Sequence, residues 1–298
     1  MNTLLLLLPD LALIATGAVL ARTVNWVDGF WSSLEKLVYF VLFPALLFTS
    51  IVRNRIDLGE VASFAFTVFL VLAGGIVLGA LGRRLFGVPH KRFSSAVQCA
   101  FRFNSYLALA LSQRLGGEAG LALCAVVAAV VVPTGNIASV WFLARAGGGG
   151  MWQAVIRNPL VLSTLGGLLF NLLGLSLPDA VTSWLTRMGA AAIALGLITV
   201  GAGLQPASAS GDNGFAGWTI AVKLIGMPLL ALGLIRLSGM AMLPAQVLML
   251  YAAVPASSSA YVLATRMGGD GPYVARLITL STVGSIVTMP LWLALIAP

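Results

Sequence analysis

The apolar residues of this chain neither alternate at the period of a half-buried strand nor stripe one face of a soluble helix. They form long continuous runs that stop at short clusters of glycine, proline and charge. Ten such runs lie near residues 3–21, 33–51, 61–82, 94–113, 119–143, 159–177, 182–203, 215–235, 242–264 and 274–296. About 20 apolar residues of helix cross the ~30 Å hydrocarbon layer of a bilayer, and backbone facing lipid must be helical because no water is there to pair it. The pattern predicts an all-α integral membrane protein with ten transmembrane helices. The first run, within "MNTLLLLLPDLALIATGAVLAR", lacks the basic start of a signal peptide and reads as a retained span.

Composition removes the soluble alternatives. Hydrophobic residues make up 59% of the 298 positions and charged residues 9%, with a mean hydropathy of +1.01, too little polarity to coat a soluble globule. The net charge of +8 raises the question of nucleic acid, but the basic residues sit scattered at the ends of apolar runs, so no nucleic-acid partner is expected. With the amino terminus outside, Arg22, Lys36, Arg83, Arg84, Lys91, Arg92, Arg145, Arg157, Arg266 and Arg276 fall on the cytoplasmic side. Arg53, Arg55, Arg114, Arg187 and Arg236 fall outside. This bias favours a multi-pass protein with both termini outside. His90 reads as a solvated loop residue, and Cys99 and Cys124 as small packing residues inside apolar segments, so no metal and no cofactor are expected.

The phrase "RLGGE" at residues 114–118 returns 152 residues later as "RMGGD" at 266–270, and "GE" at 59–60 returns at the same offset as "GD" at 211–212. Between the long copies lie five crossings, an odd number, which puts the copies on opposite membrane faces. The glycine-rich stretch 147–153 then joins a first repeat, 1–146, to a second, 154–298. The expectation is a 5+5 inverted-topology repeat, a plan that places a transporter's substrate site near the midplane. A helix-stop turn recurring by chance is the alternative.

Polar and helix-breaking residues at mid-span are the candidate chemistry. In "YAAVPASSSAYVLA" Pro255 removes an N–H and frees carbonyls near residue 251, and Ser257, Ser258 and Ser259 follow it. The offset sets Asn104 opposite Ala256 and Ser105 opposite Ser257. Helices 4 and 9 are therefore expected to be crossed and interrupted, aiming half-helix N-termini with unpaired N–H groups at an anion. Asn104, Ser105, Pro255, Ser257, Ser258 and Arg102 are the candidate substrate-binding residues, Asn104 having a bond to a neighbouring helix as its alternative. Arg102 has two readings, anion binding or snorkelling to the interface. Asp10 is the candidate coupling residue as a proton relay, or else an acid at a helix start after Pro9. Lys223 lies on the permeation path or merely inside the eighth span. Pro133 and Asn136 suggest a kink and an interhelical hydrogen bond, with direct substrate contact as the alternative.

The stretches "LEKLVYFVLFPALLFTSI" (34–51), "FRFNSYLALA" (101–110), "IRNPLVLSTLGGLLFNLLGLSLP" (156–178), "ALGLITVGAGLQP" (194–206) and "AAVPASSSAYVLATRMGGD" (252–270) resemble the auxin efflux carrier family, whose plant members are the PIN proteins. The resemblance implies a fold like that of bile-acid sodium symporters, with a scaffold and a transport domain each built from both repeats and moving as an elevator. It implies carriage of organic anions, bacterial relatives being associated with carboxylates such as malonate and malate. It also implies residence in the bacterial cytoplasmic (inner) membrane. By position, Asn104 and Pro255 match the family's crossover residues. Plant members have a proline where Phe103 stands, and their long hydrophilic central loop is missing.

The expected function is a secondary transporter for small organic anions working by alternating access. Its partners are the substrate and the lipid bilayer, with proton or sodium coupling and a homodimer left open. A channel or sensor module is the main alternative. An intramembrane enzyme would need paired aspartates, a serine with a basic partner or HExxH, and the chain offers none convincingly.

Overall fold

The computed structural model describes residues 3–53, 58–144, 159–203, 211–257 and 259–296. Everything regular in it is helical, and each of the ten predicted runs contains helix, the fourth and ninth being interrupted and the sixth ending early, at Leu172. Helix α1 is Thr3–Thr23. Helix α2 spans 30–52, with a π-turn at Val38–Leu42 between Phe30–Leu37 and Phe43–Val52. Helix α3 is Leu58–Phe86. Helix α4 is split into α4a, His90–Ala96 extended by a 3₁₀ turn at Val97–Ala100, and α4b, 105–115. Helix α5 covers 118–144, α6 is Pro159–Leu172 and α7 is Asp179–Ala202. Helix α8 spans 213–238, again with a π-turn, at Val222–Gly226. Helix α9 is split into α9a, Met242–Ala253, and α9b, Ser259–Arg266, and α10 is Gly271–Ala294.

Among the described residues six stretches of helix are long and apolar enough to cross a bilayer: Phe30–Thr49, Val61–Phe86, His90–Leu143, Asp179–Ala202, Asn213–Ser238 and Gly271–Ala294. The longest holds two predicted spans, divided where Gly116 and Gly117 leave helical geometry. The outer faces carry large apolar side chains such as Phe66, Val77, Leu169, Leu229, Val287 and Leu291, each more than half exposed. Such a surface would aggregate in water and suits lipid. This is a multi-span helical membrane protein.

Both π-turns precede a proline, Pro44 and Pro228. Proline has no N–H and its ring crowds the carbonyl four residues back, so the helix widens one turn earlier. Ahead of Pro228 the crowded carbonyl is that of Leu224, and it accepts a hydrogen bond from Trp292 Nε1 at 2.8 Å.

Helix α1 packs on α7, and α2 against α6 and α7. The α1–α7 seam depends on small residues, since a Cβ on Gly17 would strike the Ile198 carbonyl and one on Gly201 that of Ile14. Helices α3, α4, α8, α9 and α10 pack on one another. Their centre is α9a, where every residue from Val247 to Val254 is at most 1% exposed. A helix end buried so fully cannot rely on water for its last carbonyls.

The repeated phrase forms a turn in both copies. Gly268 has φ +70° and Gly269 lies against Ser95, leaving no room for a Cβ. In the first copy Gly117 has φ +54° and Gly116 lies against Leu243. One glycine reverses the chain and the other admits a neighbour, and the two jobs are exchanged between copies. Each acid is held by an arginine. Glu118 is 3.8 Å from Arg53, whereas Arg92 bonds Asp270 at 3.0 Å and Asp212 at 2.7 Å. The linker 147–153 lies outside the described residues.

Candidate functional site

The breaks in α4 and α9 touch. The Asn104 N–H donates to the Pro255 carbonyl at 2.9 Å, joining the two irregular segments through backbone alone. In α9 the cause is local: Val254, preceding proline, is held extended with ψ 150°, and Pro255 has no N–H to continue the ladder. In α4 no proline is present. The chain tightens into a 3₁₀ turn, and the N–H groups of Phe101 and Arg102 both bond to the Gln98 carbonyl. A new helix then starts on Asn104. The Asn104 Oδ1 accepts from the N–H groups of Tyr106 at 3.1 Å and Leu107 at 3.2 Å, an N-cap in its preferred chemistry.

Beside the breaks lies a cavity of about 90 Å³, bordered by Arg102, Ser105, Asn136, Ser257, Ser259 and Tyr39, with Phe103, Val131, Val132 and Gly135 completing the wall. Ser105 begins α4b and Ser259 begins α9b, so two helix N-termini border one space. Arg102 supplies a full positive charge. Its Nη2 donates to Ser259 Oγ at 2.8 Å and its Nη1 to Gln98 Oε1 at 3.3 Å. Ser257 Oγ and Ser259 Oγ are 2.8 Å apart and share one hydrogen. These contacts hold the Arg102 head between the two breaks. No carboxylate borders the cavity among the described residues. A guanidinium, hydroxyls, a carboxamide and two helix N-termini together favour a small anion.

The other ends of the broken helices need the opposite charge. Helix α9a ends with carbonyls whose usual donors are missing, that of residue 255 because it is proline. Lys223 supplies them. Its Nζ lies 3.1 Å from the Ala252 carbonyl and 3.4 Å from that of Tyr251, with the Tyr251 ring centroid 5.6 Å away. The lysine is 0% exposed and comes from the π-turn of α8. The Ala256 N–H is taken by Ser281 Oγ at 3.2 Å. The freed carbonyls near residue 251 are thus where Pro255 implies, and their partner is a lysine 28 positions earlier.

Of the sequence-derived candidates, Arg102, Ser105 and Ser257 line the cavity, while Asn104 and Pro255 form the bridge beside it. Ser258 lies outside the described residues. Asp10 falls within α1, away in sequence from both breaks, and its side chain lies outside the description. Asn136, read from sequence as an interhelical contact, borders the cavity, as does Tyr39 from α2. Nothing in their local sequence marked these two as neighbours of the breaks. No group of three or more histidines, cysteines or acids that could hold a metal ion occurs among the described residues.

Residues 144–293, half of the chain, match the model of a family described as membrane transport protein. The chain belongs to this family. As a membrane transport protein it is not an enzyme, and its cavity is to be judged as a solute site. It is also similar to a transporter of Methanothermobacter thermautotrophicus, itself described as uncharacterized, with 27% identity over 272 residues, 88% of this chain and 87% of the relative.

Proposed function

We propose that this membrane transport protein is a secondary carrier for small organic anions, carboxylates first among them, and that the anion binds at the meeting point of α4 and α9. The observation that carries this reading is the cavity itself: Arg102 and the first residues of α4b and α9b converge on it, and no acid borders it among the described residues. Its volume of about 90 Å³ is well below the ~300–1,000 Å³ of drug-sized ligand pockets, which favours a solute of a few heavy atoms.

The transport cycle in this proposal is alternating access by a 5+5 inverted repeat, residues 1–146 against 154–298. Support comes from the two turns of the repeated phrase, from a break in each of α4 and α9, and from the bond between those breaks. The packing of α1 on α7 and of α2 on α6 and α7, beside a second group of α3, α4, α8, α9 and α10 that it meets where Phe43 stacks on Tyr106, supports a scaffold and a mobile transport domain working as an elevator. The resemblance to auxin efflux carriers points the same way. Asn104, Ser105, Ser257 and Ser258 would contact the anion with Arg102, Pro255 would hold the break open, and Asp10 is the residue to test for coupling. The proposed location is a bacterial cytoplasmic membrane with both termini outside.

The test is counterflow in proteoliposomes. Vesicles preloaded with unlabelled malonate or malate should accumulate the labelled acid transiently above equilibrium, with saturable rates. Ohmic current without counterflow would make the protein a channel and end the carrier reading. Repeating the flux with sodium replaced by potassium, and with a pH gradient imposed, separates sodium, proton and uncoupled transport.

A further inference from the structure

A second cavity, of about 330 Å³, opens between α3, α4a and the end of α5. Its wall is two chemistries. Val77, Leu81, Phe93 and Trp141 are apolar, and Val77 and Trp141 are 60% and 48% exposed, so the cavity is open to the surroundings of the helix bundle. Arg83, Arg84 and His90 also line it. The two arginines lie in the last turn of α3, where a helix C-terminus favours cations. Arg83 is steadied over the Phe93 ring, its guanidinium carbon 5.6 Å from the centroid. Among the described residues neither arginine is in an ion pair, although Arg92, a few residues on, is engaged with two acids.

An apolar trough that ends in unneutralised guanidinium groups at the edge of a membrane-spanning helix matches one kind of molecule. We propose that this cavity is a binding site for an anionic phospholipid, with an acyl chain along Val77, Leu81 and Trp141 and the phosphate held by Arg83, Arg84 and His90. Basic pockets between transmembrane helices recognise acidic head groups for this reason: the chain supplies area and the cations supply selectivity. Zwitterionic lipids carry the same chains but place a compensating cation beside the phosphate, and so gain less. The inference depends only on membrane insertion and stands apart from the choice of transported solute.

The experiment is native mass spectrometry of the purified full chain, released from detergent with equal amounts of short-chain phosphatidylglycerol and phosphatidylcholine. Wild type should retain phosphatidylglycerol preferentially. R83Q/R84Q should lower that preference roughly thirtyfold, from the worth of two basic side chains at a membrane surface. R83K/R84K, which keeps both charges, should hold most of it. The control R187Q/R236Q removes the same charge from exposed arginines on α7 and α8 and should leave the preference intact. Equal loss in the control would reduce the effect to net charge and overturn the site. So would absence of any preference in wild type. Displacement of phosphatidylglycerol by millimolar inorganic phosphate would show a free-anion site and overturn the lipid assignment.

Discussion

Replacing Arg102 with glutamine tests the candidate site most directly, because it removes the one charge among the described residues that border the cavity while keeping a hydrogen-bonding side chain. A guanidinium and a carboxylate about 4 Å apart attract by ~4 kcal/mol at an effective dielectric near 20. Mutational values for hydrogen bonds to charged groups are smaller, about 1.5–3 kcal/mol, and those set the expectation. They correspond to a rise in KM for a small carboxylate of about 10- to 150-fold. The fold should tolerate the change. Gln98, 0% exposed, loses the donor to its Oε1. That costs about 1–3 kcal/mol, while the variant is relieved of holding a cation at mid-span, worth about 2.5–3.5 kcal/mol on insertion scales. R102K should fall between, since an ammonium keeps the charge without the planar fork that reaches both Gln98 and Ser259. The assay is labelled-carboxylate uptake into proteoliposomes, with detergent-extracted protein measured in parallel. Unchanged KM in R102Q at normal protein levels would remove the cation from substrate recognition and with it the anion argument.

Asn104→Ala should abolish flux and lower stability by about 0.5–2 kcal/mol through the lost cap of α4b; N104D keeps the cap but sets a negative charge beside the cavity, so it should melt like wild type and still fail to transport. Pro255→Ala restores an N–H at the α9 break, and flux should collapse while membrane insertion persists, as read by uptake and by blotting. Lys223→Met orphans two carbonyls at about 1–3 kcal/mol each against about 2.5–3.5 kcal/mol recovered from a buried charge. Its melting temperature should therefore move little, whereas amide exchange at 253 and 254 should rise; unchanged exchange would deny the lysine its capping role. R92Q should cost up to about 1 kcal/mol for each of its two part-exposed partners, Asp212 and Asp270, and the loss should shrink in high salt.

How much of this the chain spells out depends on whether the cause is local. The ten helices follow from apolar runs whose meaning in a bilayer needs no partner. The break at Pro255 is equally local, because a missing N–H acts wherever the helix lies. The π-turns before Pro44 and Pro228 have the same origin, so their signal too is local. The break before Ser105 differs. Phe103 offers no breaker, and what ends α4a is a tightening onto the Gln98 carbonyl followed by a fresh start on Asn104, a good N-cap that at mid-span looks like any polar residue. Asparagine announced that something polar happens at that depth and did not say what.

The least legible features are those in which one residue repairs another's defect across the fold. Sequence shows that Pro255 strands carbonyls and, separately, that Lys223 is a charge where hydrocarbon should be. Each looks costly alone, and only the packing of α8 on α9a makes them one solution, ammonium to carbonyl at 3.1 Å. Arg102 repeats the logic on α4, a mid-span charge tied to Ser259 of α9b. The two cations fall on different sides of the paired breaks: one satisfies the carbonyl end of a half-helix, the other stands with helix N-termini around a cavity. A carbonyl end already occupied by a lysine has little left for a mobile cation, whereas N-termini and a guanidinium around open space have positive potential that no carboxylate among the described lining residues neutralises. That asymmetry is why the anion, and not a metal ion, is the solute to test first at this site.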